Sequence, residues 1–185
     1  MSETAYPVAL RALHWLMAAI IFAALALGVW SRYLPHGAPL REDLLAVHKS
    51  LGVTVLALII LRVAARLATT APPYRPPLGA LNRVAAHAVH GLLYVLMVLM
   101  PFSGYVHSMA GGHGFRWFGL FPVPDLVAQS RATDVGAGRA HYLFAWIIGA
   151  LLAAHVAAAL WHSLVRRDGV LARMWPGPRV APRRA

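Results

Sequence analysis

Apolar residues along this chain fall into four long blocks, at about residues 10–30, 44–67, 84–106 and 140–165. Crossing the hydrocarbon core of a bilayer takes about 20 residues of helix, and each block meets that length. Helix breakers and polar residues separate the blocks: HGAP at 36–39, APPYRPP at 71–77, and a long connection over 107–138. The pattern predicts an all-α membrane protein, a four-transmembrane-helix bundle. Pro101 falls inside the third block and predicts a kink there. The first block ends AALALG, as a cleaved signal peptide can, but its length and the His14–Trp15 pair at its start predict a retained helix.

Composition agrees with this division. Hydrophobic residues make up 59% of the 185 and charged ones 12%, about half the charged share of a soluble domain. The formal charge of +11 comes from basic residues flanking the apolar blocks, so the expected partner is anionic lipid and not nucleic acid. Of the 17 Lys and Arg residues, eleven fall on the side of the termini and six, with four of the six acids, on the other. That asymmetry places both termini in the cytoplasm. Residues 1–177 are expected to form one domain and 178–185 a basic tail.

The absence of cysteine excludes disulfides, thiolate metal sites and covalently attached haem. The candidate chemistry is carried by histidine. In HYLFAWIIGALLAAHVAAALWH, residues 141–162, His141 and His155 are fourteen apart, close to four helical turns and about 21 Å along one face. Antiparallel helices then match depths. His48 near the start of the second block lies level with His141, and His14 near the start of the first lies level with His155. Imidazoles facing in pairs across a bundle suit axial ligation of haem iron, and two such pairs make an electron path through the membrane. Zinc would ask for three or four ligands with acids nearby, and the expected spans contain no acid. His87 and His90, an H-x-x-H pair opening the third block, are alternatives to His14, or hydrogen-bonding partners within the helix. His36, His107 and His113 are expected in solvent.

RALHW at 11–15, HKSLG at 48–52, AHAVHGLLY at 86–94, PFSGY at 101–105, the H-x13-H-x6-H spacing from His141, and RRDGVLARMWP at 166–176 together resemble the bacterial cytochrome b561 family. The resemblance covers about residues 8–177. It implies an inner-membrane cytochrome with two haem b groups, held by His14 with His155 and by His48 with His141. It further implies electron transfer from a periplasmic one-electron donor, superoxide in a type to which this sequence looks similar, to ubiquinone. An electron-transfer subunit passing electrons between quinol and a partner redox protein is the alternative, and a non-redox metal-binding membrane protein a third reading.

Within that frame Lys49, beside His48, and Arg116 are expected to steer superoxide, with Arg41 and Arg139 near, or else to pair with lipid headgroups or propionates. Arg62, about 21 Å below His48, and Arg66 one turn further are expected to pair with the inner haem's propionates or with lipid phosphate, and Arg11 likewise. His162, seven residues past His155 on the same face, is expected to bond a quinone carbonyl and relay a proton.

Overall fold

The computed structural model describes residues 5–72 and 79–175. Four long helices dominate: α1 (Val8–Ser31), α2 (Pro39–Leu67), α3 (Ala80–Ala110) and α4 (Arg131–Trp161). All four are long and apolar enough to cross a membrane. Their large side chains point outward, with Ile60, Val84 and Trp146 each more than 60% exposed, as hydrocarbon requires of a lipid-facing surface.

The helices extend beyond the apolar blocks, most of all α4, which begins at Arg131 and not near residue 140. Ser130 caps it by accepting a hydrogen bond from the Thr133 N–H (3.3 Å), and Asp134 occupies the first turn. The expected connection over 107–138 therefore contracts to residues 111–130. α3 continues through Pro101 without a break.

The bundle consists of two tightly packed antiparallel pairs, α1 with α2 and α3 with α4, joined mainly where α2 meets α3. Its middle is a mainly apolar layer. Buried Met17, Val55 and Ile59 bind α1 to α2 beneath Tyr94 and Met97 of α3. Buried Leu93, Leu96 and Ile148 bind α3 to α4, with Leu25 of α1 packed on them.

One end, the hairpin face, carries the α1–α2 turn and the long α3–α4 connection. That connection is folded. β1 (Arg116–Trp117) pairs antiparallel with β2 (Phe121–Pro122) around Phe118, at φ 44°, and Gly119, at φ 76°. The hairpin docks on α2: the Phe118 N–H donates to Ser50 Oγ (2.9 Å) and Trp117 Nε1 to Thr54 Oγ1 (3.1 Å). Tyr105 pins the rest, donating to Pro124 O (2.7 Å) and accepting from the Leu126 N–H (3.0 Å). Ser50 is completely buried. Ser50→Ala is expected to cost about 1 kcal/mol and to show as faster proteolysis within residues 113–122, with the four helices unchanged by circular dichroism.

The other end, the terminal face, carries the start of α1, the end of α4 and the ends of α2 and α3 that adjoin the second connection. There α4 passes into a π-helical turn (His162–Arg166), Arg167 takes the left-handed conformation at φ 51°, and the chain doubles back through a short 3-10 turn (Leu171–Arg173). This return segment clasps the start of α1. Trp15 Nε1 donates to Met174 O and Arg11 Nη1 to Trp175 O, both at 2.7 Å. The Trp15 and Trp175 rings meet edge to face, so Trp175 is part of the fold. Arg173 bonds Pro72 O. Arg75 and the tail at 178–185 lie outside the described residues.

Candidate functional site

The four matched histidines come together as the depth pattern predicts. His48 of α2 faces His141 of α4 with ring centres 6.0 Å apart, and His14 of α1 faces His155 of α4 at 6.2 Å. Each pair draws one histidine from each half of the bundle. Two imidazoles bound on opposite sides of one ion at about 2 Å each have ring centres roughly 6 Å apart, so both separations suit axial ligation. His90 also meets His155, but at 5.1 Å, edge to face. That is shorter than the roughly 6 Å that two imidazoles on opposite sides of one ion require. Among the described residues no group of three His, Asp or Glu could hold a metal, which leaves pairs and favours a cofactor that brings its own remaining ligands.

The surroundings of the hairpin-face pair fix its ring nitrogens. His48 Nδ1 lies 2.7 Å from Ala24 O, and His141 Nδ1 2.8 Å from Met100 O. A carbonyl only accepts, so Nδ1 is the donor in each ring and Nε2 keeps its lone pair for a metal. Two glycines let the rings sit there. A Cβ on Gly28 would stand 2.9 Å from His48 Cε1, and one on Gly104 would stand 2.8 Å from His141 Cε1.

The terminal-face pair has a different shell. Arg62 donates through Nη2 to His14 Nδ1 (3.1 Å) and through Nε to the Tyr94 hydroxyl (3.3 Å), while its buried Nη1 has no hydrogen-bond partner. Metal binding through His14 Nε2 requires the Arg62 bond to be given up. A carboxylate from a bound group would draw that guanidinium away and satisfy Nη1 as well. Tyr94, one helical turn beyond His90, was not anticipated as a site residue. The i, i+4 spacing within AHAVHGLLY was its only signal.

The other arginines have partners within the chain. Arg66 donates to Thr69 O (2.9 Å) and lies 5.8 Å over the Tyr6 ring, capping α2. Arg11 is buried under the return segment, held by the Trp175 carbonyl. On the hairpin face Arg116 closes its own turn on Gly119 O and Leu120 O, and Arg41 pairs with Glu42. Lys49 is tucked under the connection, its ammonium 3.2 Å from His113 O and 5.4 Å from the Phe115 ring centre.

Two corrections concern acids and histidines. Because α4 starts early, it brings in Asp134, whose buried carboxylate contradicts the expectation of acid-free spans. Asp134 Oδ1 sits 2.7 Å from His107 Nδ1, and Oδ2 3.0 Å from Arg131, so His107 joins α3 to α4 and is not simply solvated. On the terminal face His162 Nδ1 lies 2.5 Å from Asp168 Oδ2, and Arg166 Nε lies 3.4 Å from the same oxygen. Burial opposes ionisation of Asp168, yet the His162 bond, the Val170 N–H and the Arg166 charge outweigh it and hold the carboxyl below its ordinary pKa. Its contribution to stability is therefore complete above the unfolded carboxylate value and is lost only as pH falls through the lower folded one.

Residues 5–177 match the model of a family described as prokaryotic cytochrome b561. The chain is 34% identical to cytochrome b561 homolog 2 of Escherichia coli (strain K12) over 169 residues, 91% of this chain and 90% of that protein. It is 28% identical to the probable superoxide oxidase CybB of Yersinia pestis, over 90% of this chain and 93% of that protein. It is also 31% identical to cytochrome b562 of Cereibacter sphaeroides, over 69% of this chain and 65% of that protein.

Proposed function

Since the chain belongs to the prokaryotic cytochrome b561 family, the haem b-binding, multi-pass electron-transfer proteins of the bacterial inner membrane, we propose that it oxidises periplasmic superoxide and passes the electrons through two haems to ubiquinone. The supporting observation is the pair of histidine couples, 6.0 and 6.2 Å between ring centres, at opposite ends of one apolar layer. The relative named as a probable superoxide oxidase supports the choice of donor. Haem b, held by His48 with His141 and by His14 with His155, would supply an iron that exchanges single electrons.

On this reading the chain's residues divide the work. His48 and His141 offer Nε2 because Ala24 O and Met100 O hold their Nδ1 hydrogens. Lys49, next to His48 and under the hairpin, provides the positive charge that draws a small anion to that end. The Met17–Val55–Ile59 and Leu93–Leu96–Ile148 clusters exclude water between the two sites. His14 and His155 hold the second group, with Arg62 Nη1 as donor to its propionates. His162, past the second pair, carries the protons that ubiquinone needs on reduction.

Stopped-flow mixing of the purified, oxidised holoprotein with superoxide is expected to reduce its haem faster than superoxide dismutates. The rate should fall as ionic strength rises, because steering by Lys49 is screened. Reduction no faster than dismutation would remove superoxide as the donor and leave the protein as a carrier between quinol and a redox partner.

A further inference from the structure

α4 does not end as an ordinary helix. Its last turn widens into a π turn over His162–Arg166, a form that occurs mostly as single turns at functional sites. Arg167 then takes a left-handed conformation and Gly169 follows at φ 75°. This sharp reversal brings Asp168 back onto His162, six residues earlier. Both carboxylate oxygens are engaged: Oδ1 accepts from the Val170 N–H (3.3 Å), and Oδ2 faces His162 Nδ1 (2.5 Å) and Arg166 Nε (3.4 Å). The two side chains are enclosed, His162 being 14% and Asp168 8% exposed.

A π turn, a left-handed non-glycine residue and an enclosed acid are each costly where nothing requires them. Together they hold one imidazole in one orientation. With Nδ1 donating to Asp168, the exchangeable position of His162 is Nε2. We propose that Asp168 is a positioning residue, fixing His162 so that Nε2 delivers protons to ubiquinone at the terminal face. The inference rests on the quinone-reducing reading above. It adds the device that sets the proton donor.

The balance is as follows. Two superoxide ions give up one electron each and leave as dioxygen. Ubiquinone takes those two electrons and two protons. For each proton, the Nε2–H bond of His162 breaks, an O–H bond forms on a quinone oxygen, and Nε2 recovers a proton from terminal-face water. While the ring carries both protons, the Asp168 carboxylate balances its charge, and the Nδ1 hydrogen never leaves that bond.

The test uses full-length holoprotein, reduced anaerobically and mixed with a short-chain ubiquinone, following re-oxidation of the haem. Asp168→Asn is expected to slow the limiting rate about 10- to 100-fold, with little change in half-saturating quinone and a larger solvent deuterium isotope effect. Its haem content and reduction by superoxide should match the parent protein. Asp168→Glu should recover part of the rate. His162→Ala should be slow as well, and the double replacement no slower than His162→Ala. A second readout needs no turnover: 15N NMR of histidine-labelled protein should show a proton on His162 Nδ1 that Asp168→Asn loses. An unchanged rate and isotope effect in Asp168→Asn would overturn the inference. So would slowing with an altered haem spectrum or an unchanged isotope effect, since either makes Asp168 only a fold element. Failure of ubiquinone to re-oxidise the parent protein instead defeats the quinone reading, and the NMR result alone then decides whether Asp168 sets the tautomer.

Discussion

Replacing His141 with alanine is expected to remove one haem and leave the other. Pyridine haemochrome content should fall to about half, because the remaining His48 offers only one axial nitrogen. Superoxide-driven reduction should fall by at least about 100-fold, since the surviving haem lies below the apolar layer. His155→Ala should also halve the haem, but with the opposite kinetic result. The hairpin-face haem is still reduced by superoxide, and the electron goes no further. His90→Ala should retain both haems, because its 5.1 Å approach to His155 is ring packing. Loss of a haem in His90→Ala, with retention in His14→Ala, would show that the ligand pair on the terminal face is wrongly assigned.

The second large effect is expected at two residues with no side chain. Gly28 and Gly104 lie against the rings of His48 and His141, where added Cβ atoms would sit at 2.9 and 2.8 Å. Real Cβ atoms do not approach that closely, and the rings cannot retreat without losing their carbonyl bonds to Ala24 and Met100. Gly104→Val should therefore push His141 off its axis. Overpacking of this kind costs about 1–3 kcal/mol, or roughly 5- to 150-fold in haem affinity. The expected sign is a protein with normal helix content and terminal-face haem but weakened hairpin-face haem, measured by spectral titration with haemin. Gly52→Val on α2, where a new Cβ meets Pro101 Cβ at an ordinary 3.6 Å, serves as the comparison and should retain both groups.

The four spans and the four matched histidines were legible because both depend on periodicity and depth. An apolar block of bilayer length must be a helix, and fourteen residues return a side chain to the same face. The glycines, Asp134 and Asp168 were not legible for a common reason: their roles arise from contacts across elements. Gly104 matters only because His141, 37 positions away, lies over it. Asp134 was missed because hydropathy reports the hydrocarbon-length part of a helix, whereas Ser130 and the polar first turn of α4 extend past it. The hairpin was hidden by its composition. Its aromatics suit a lipid interface in any conformation, and neither Ser50 nor Thr54 advertises that it receives a loop some 63 to 68 residues away. Asp168 stands in a basic run that reads as a membrane anchor, and the π turn that folds it onto His162 has no sequence pattern of its own.

The apolar layer between the two histidine pairs has an electrical consequence. On the proposed reading electrons cross it while protons stay at the terminal face, so each turnover displaces net charge across the low-dielectric part of the bilayer. Transmembrane voltage acts on such a displacement with about 2.3 kcal/mol per elementary charge per 100 mV for a full crossing. With both termini in the cytoplasm, electrons move toward the negative side while the protons joining them are drawn from that same side. The electron movement adds to the potential, and the proton uptake adds to the pH gradient. On the proposed reading, a protein of this design that removes superoxide also charges the membrane it sits in.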